Sequence, residues 1–164
     1  MINALFAALL LQTAPAAHDV CPVVVPPPEE MASWAAPRSL DAGRTAAGAA
    51  VLTPGAAVMA RLSSTPDVRY VVRPEKPGGS VSHGGLFTFT VATPGRYRIA
   101  LGSAAWIDVL ADGKPATSVA HGHGPACTGI RKMVDFDLGA GRYVLQVAGN
   151  GTAALPLMVT KLPA

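Results

Sequence analysis

The sequence predicts an all-β protein: one antiparallel β-sandwich, jelly-roll-like in outline, behind a signal peptide and a proline-rich leader. Three observations carry that expectation. From Ala56 onward, apolar and polar residues alternate in short runs, the pattern of strands with one buried face. Turn dipeptides with glycine separate several of those runs. The first residues read as an export signal, so the sandwich does not begin at Met1. The expected division is 1–17 signal peptide, 18–37 leader with a short helix, and 38–164 sandwich domain. A chain of 164 residues fits a single domain.

Taken in order, the N-terminus "MINALFAALLLQTAPAAHDV" is apolar from Ala4 to Leu11. That run is far shorter than the ~20 residues of a membrane-spanning helix, so the protein is expected not to span a membrane. Ala14-Pro15-Ala16 fits the small-x-small rule of signal peptidase, which predicts cleavage after Ala16 or Ala17 and a periplasmic or secreted protein. Both cysteines lie beyond that point, and an even count in an oxidising compartment predicts a Cys21–Cys127 disulfide. "CPVVVPPPEE" is too rich in proline for a central strand, because proline lacks the ladder donor. It is expected to lie extended on the domain. Glu29 to Ala36 has room for one or two helical turns before Pro37, with Trp34 as the apolar anchor. "SLDAGRTAAGAAVLTPG" has no clear period and is left unassigned.

The alternating runs give six to nine strands. Their inward residues are expected to be Val58, Ala60 and Leu62; Val68, Tyr70 and Val72; Phe87, Phe89 and Val91; and Tyr97, Ile99 and Leu101. Val134, Phe136 and Leu138 follow, then Tyr143, Leu145 and Val147, and last Leu155, Leu157 and Val159. Asp112-Gly113 and Asn150-Gly151 supply the positive φ angles of two-residue hairpin turns. "FTVATPGRYRIALG" and "FDLGAGRYVLQVAG" echo one another, each with Gly-Arg-Tyr ahead of a strand. A tyrosine there can bury its ring and return its hydroxyl to the backbone, as tyrosine corners do.

Thirteen basic and ten acidic residues leave a formal charge of +3, and the basic residues are scattered. Nothing here predicts a nucleic-acid partner. Arg131-Lys132 reads as a solvated pair, and Asp135 and Asp137 as a solvated strand face. No G-x-S-x-G nucleophile elbow is present, and "RPEKPGG" lacks the Lys-Ser/Thr of a phosphate loop.

Chemistry concentrates in "AHGHGPAC", residues 120–127. His121 and His123 are two apart, which on an extended backbone places both imidazoles on one face. His83, in "GGSVSHGGLF", is likewise flanked by glycine. Together the three are the candidate ligands of a Zn or Cu ion. His18 stands at the expected mature N-terminus, where its amino group and ring could chelate copper. The opposing reading is a glycine-rich turn carrying exposed imidazoles.

"RPEKPGGSVSHGGLF" and "SVAHGHGPACTGIRKMVDF" resemble a group of short exported bacterial proteins of unassigned function, over most of the chain after Pro37. Some members are labelled homogentisate 1,2-dioxygenase. That label implies an Fe ion held in a cupin by two His and a Glu. The spacing here is H-x-H with Cys127 four residues later, where the cupin motif carries Glu. "GRYVLQVAG" is faintly similar to the sandwich domains attached to secreted peptidases. Two functions are therefore expected to compete. One is an exported, non-catalytic binding module whose histidine loop takes a metal, a small ligand or a protein. The other is a small metal-dependent enzyme with cupin-like oxygenase chemistry.

Overall fold

The computed structural model describes residues 21–163 and is a sandwich of two six-stranded sheets. The expected signal peptide and His18 lie outside the described residues. The first sheet runs in the order β1 (Arg38–Asp41), β3 (Val58–Arg61), β12 (Ala154–Lys161), β6 (Gly95–Leu101), β10 (Lys132–Leu138) and β9 (Ser118–Gly122). The second runs β2 (Ala50–Val51), β5 (His83–Val91), β11 (Gly141–Asn150), β7 (Trp106–Ala111) and β8 (Lys114–Pro115), with β4 (Ser63–Ser64) also on β5. Most pairings are antiparallel, as the alternation predicts. The sheets are nevertheless mixed, because β1 joins β3 and β2 joins β5 in parallel. Both parallel strands come from the segment whose small residues show no period.

Six of the seven expected inward triplets form the core between the sheets, joined by Leu52, Ala105, Ile107 and Val109. Phe87, Phe89, Ile99, Leu101, Leu145 and Leu157 are all essentially inaccessible, and Val134 and Phe136 close the layer. Both Gly-Arg-Tyr turns end as expected: Tyr97 donates its hydroxyl to the Thr93 carbonyl at 2.9 Å and Tyr143 to that of Gly139 at 3.0 Å. Phe89 stacks on Tyr143, with ring centroids 5.5 Å apart. Asp112-Gly113 makes the β7–β8 turn with φ of 48° and 75°.

Three local expectations fail. Asn150-Gly151 is not a two-residue turn, for β11 continues through Asn150 and the positive φ falls on Gly149. The reason is that Asn150 is buried, donating to the Thr152 carbonyl at 2.7 Å and accepting from the Ser103 hydroxyl at 2.6 Å. Residues 68–72 alternate like a strand but form none. Buried Gln146 on β11 satisfies that backbone instead, accepting from the Val71 and Val72 amides and donating to the Val72 carbonyl. Finally, only Asp137 of the acidic pair is solvated. Asp135 is buried and makes a two-pronged ion pair with Arg98, both bonds at 2.8 Å. Arg98 lies directly across from it on β6, which permits the burial.

The first sheet also has an apolar outer face, made by Ala100, Met158 and partly buried Met133. The leader covers it. A 3-10 helix over Glu29–Ala35 lays Met31 and Trp34 on that face, beside Ala57 and Ile130. Ser33 fastens the helix by donating to the Gly55 carbonyl at 2.8 Å and accepting from the Ala57 amide at 3.0 Å. Thr160 donates to the Glu30 carbonyl at 2.9 Å. At its other end the leader is tied by a Cys21–Cys127 disulfide and by the Val25 amide on the Cys127 carbonyl at 3.0 Å. The Trp34 indole donates to the Thr128 carbonyl at 3.1 Å.

Two predictions follow from this packing. Alkylation before and after reduction should reveal two thiols by intact mass only after reduction. Closing 106 residues contributes up to about 4.7 kcal/mol in the chain-entropy model, so reduction should lower the denaturation midpoint accordingly. Reduction should also shift tryptophan emission to the red in the native protein but not in Trp34→Phe. Independently, Gln146→Leu strands three backbone groups of residues 71–72 and should cost about 2 kcal/mol. Hydrogen exchange at the Val71 and Val72 amides should accelerate before the core amides do.

Candidate functional site

At the side of the sandwich where β7 of one sheet faces β9 and β10 of the other, the sheets part. The opening is a groove of about 430 Å³. Strand parity decides what lines it. Val134 and Phe136 point inward from β10, and Lys132, in the same phase, points with them. On β9, His121 pairs with Val134 and Ser118 with Phe136. A bulge between those pairs takes up the extra residue, so Ser118 and His121 both face the groove although three apart. Trp106, Asp108, Ala116 and Lys76 complete the wall.

The electrostatics centre on Trp106. The Lys76 ammonium lies 5.6 Å from its ring centroid and that of Lys132 5.8 Å, both within cation–π range. Lys132 also donates to the Ala105 carbonyl at 2.9 Å. Burial, and then the nearby charge of Lys76, push the Lys132 ammonium below the usual lysine pKa. Asp108, in the same groove lining, forms no ion pair with either lysine. Its two oxygens take hydrogen bonds from the Trp106 indole at 3.0 Å and the Gln146 amide at 3.3 Å. The groove thus carries two cations at one indole, Lys76 exposed and Lys132 half-buried, beside apolar residues of both sheets. The expectation of a solvated Arg131-Lys132 pair holds for Arg131 alone, since Lys132 is half-buried.

The histidines do not gather. His121 enters the groove from β9, while His123 lies past the end of that strand with its Nδ1 3.0 Å from the Arg131 carbonyl. The same-face argument assumed an extended run through His123, and β9 stops at Gly122. His83 is on β5, separated from β7 by β11, beside Ser64 and Asn150; its Nδ1 is buried without a hydrogen-bond partner. Among the described residues no group of three or more His, Cys, Asp or Glu stands close enough to hold a metal ion. Cys127 is committed to the disulfide. The donor set therefore does not fit a three-imidazole Zn or Cu site, nor the two-His-one-carboxylate iron of the dioxygenase label.

Reading the sequence for histidine passed over Trp106, Lys76 and Lys132. Lys132 was within reach of that reading, because it shares its parity with Val134, Phe136 and Leu138. Lys76 was not, for it comes from an irregular loop whose path only the tertiary fold sets.

No protein-family model matches the chain, and no curated protein matches it. Among solved structures, the chain is similar to the pre-peptidase C-terminal domain of a collagenase from Bacillus anthracis. The identity is 15%, over 71% of this chain and 95% of that one, with a TM-score of 0.43.

Metal binding is tested by thermal melts with Zn²⁺ or Cu²⁺ at pH 7.5. The expected outcome is the same shift in the wild type and in His121→Ala/His123→Ala. A true site at ~100 times its dissociation constant would add ~2.7 kcal/mol. A rise confined to the wild type, and lost at pH 5.5, would establish the ion.

Proposed function

We propose that this protein is an exported, non-catalytic binding module that takes a small anionic ligand into the groove beside Trp106. The observation that supports it most directly is the pair of ammonium groups converging on one indole. Each ammonium lies within cation–π range of that ring, and the charge on half-buried Lys132 is relieved by an anion bound beside it. Ile107, Val109, Val134 and Phe136 offer apolar surface for the rest of such a ligand. His121 adds a hydrogen-bonding edge at the mouth, so part of the histidine loop belongs to the site after all. Export rests on the apolar run followed by Ala14-Pro15-Ala16 and on the disulfide. The absence, among the described residues, of a group able to hold a metal favours binding over oxygenase chemistry.

Benzoate and benzamide have nearly the same shape and differ in charge. Benzoate should perturb the Trp106 indole N–H resonance, and benzamide should not. A charged hydrogen bond contributes about 1.5–3 kcal/mol, so Lys132→Met should weaken benzoate binding roughly 10- to 100-fold. The pH dependence has a definite sign. An anion raises the depressed Lys132 pKa on binding, so affinity is greatest where Lys132 is charged. It should fall as pH rises, starting below the ~10.4 of an ordinary lysine. Equal binding of benzamide, or no loss in Lys132→Met, would refute the reading.

A further inference from the structure

The groove has an unusual rim. β9 is the outermost strand of its sheet, and all five of its residues are exposed. Beyond β10, β9 has no strand partner among the described residues. Such an edge presents unpaired N–H and C=O groups to any extended chain, and proteins usually guard it with charge, proline or brevity. The other three edges are guarded in those ways. β1 follows Pro37 and carries Arg38 and Asp41, β2 has only two residues, and β8 is Lys114-Pro115. β9, Ser-Val-Ala-His-Gly, carries no Lys, Arg, Asp, Glu or Pro. Its one irregularity, the bulge, turns Ser118 and His121 toward the groove and leaves Ala120 to Gly122 in regular register.

We infer that β9 accepts an extended acidic peptide segment as an added strand, whose inward carboxylates reach the Lys76–Trp106–Lys132 cluster. This rests on the anion-binding reading of the groove and names the ligand class. An added strand would run about 4.8 Å outside β9, hence about 10 Å from β10. Long Lys and Glu side chains reaching toward each other span that gap. Lys132 lies one residue beyond the Met133–Gly122 pair, so it faces the end of β9 where the register is regular. Main-chain hydrogen bonds to β9 would supply affinity, and the two cations would select acidic over basic side chains in alternate positions. Charge argues against a second copy of this chain as the occupant, since each copy carries +3 and its own lysine pair.

The test is calorimetry with acetyl-(Val-Glu)4-amide, its lysine counterpart acetyl-(Val-Lys)4-amide, and two N-methylated forms of the acidic peptide. One form is methylated at every Val amide and the other at every Glu amide. Only one edge of an added strand faces β9, so one pattern should weaken binding at least about tenfold while the other is tolerated. The acidic peptide should also slow hydrogen exchange at the amides of residues 120–122, and the lysine peptide should not bind. Equal affinities for the two methylated forms would overturn strand addition, as would equal binding of the lysine peptide. A concentration-dependent dimer that excludes the peptide would overturn it too, by assigning the edge to a second copy. Benzoate separates the two readings. If benzoate binds and the acidic peptide does not, only strand addition fails; if neither binds, the groove reading fails with it.

Discussion

The first sheet carries an apolar patch on its outer face as well as an apolar inner face, and that constraint organises the molecule. Val159, Leu157, Ile99 and Leu101 fill the space between the sheets, while Met158 and Ala100, in the opposite phase, face outward. A sheet of this kind cannot leave its outer face in water without exposing a contiguous apolar patch. The leader supplies the cover, with Met31 fully buried and Trp34 nearly so. A seven-residue 3-10 helix kinked at Met31 forms no stable unit by itself. It therefore depends on the crosslink at Cys21, on Ser33 and on the Trp34 indole bond to keep it in place. The proline-rich stretch between crosslink and helix limits the conformations the free chain would otherwise explore.

The same constraint explains the loop "AHGHGPAC". Its C-terminal half is the dock for the leader. Cys127 holds the crosslink with φ of 62°, and Thr128 takes the Trp34 indole on its carbonyl while its hydroxyl bonds Pro125 and receives the Ile130 amide. Gly124 is glycine because a Cβ there would lie 2.5 Å from Ile130, itself part of the outer core. The N-terminal half is β9, which forms the groove's rim. One short segment thus joins the covered face of the sheet to its open edge. Gly124 belongs to packing, His121 to the rim and His123 to the Arg131 carbonyl, so imidazoles and cysteine crowd together in sequence without gathering in space.

Charge is spent differently on the two sides of that sheet. On the outer face Arg98 and Asp135, and Arg96 and Asp137, stand directly across β6 and β10 as matched pairs. Arg96 holds the Asp137 carboxyl below its ordinary pKa. In the groove, Lys76 and Lys132 lie at an indole and form no ion pair among the described residues, while Asp108 accepts from Trp106 and Gln146. Gln146 therefore has two sets of partners, the backbone of residues 71–72 and the Asp108 carboxylate. The placement of both lysines at one indole is a property of the arrangement and is not visible in the modest overall charge.

What the sequence determined by itself was everything governed by local period and local geometry. The seven inward triplets included six real strands, the Asp112-Gly113 turn and both tyrosine corners, since each depends on residues within a few positions of one another. The short helix at Trp34 and the cysteine pairing followed from local composition and the even cysteine count. The tertiary structure decided whatever required a distant partner. Residues 68–72 have strand periodicity, yet the Gln146 side chain claims their backbone. Asp135 looks solvent-facing until Arg98 is placed across from it. β1 and β2 are strands only because β3 and β5 offer parallel edges. His121, His123 and His83 are close in kind but not in space, whereas Lys76 and Lys132, 56 positions apart, both lie at the Trp106 ring. Alternation specifies which way a side chain points from its own strand; which strand stands opposite is decided by how two sheets pack.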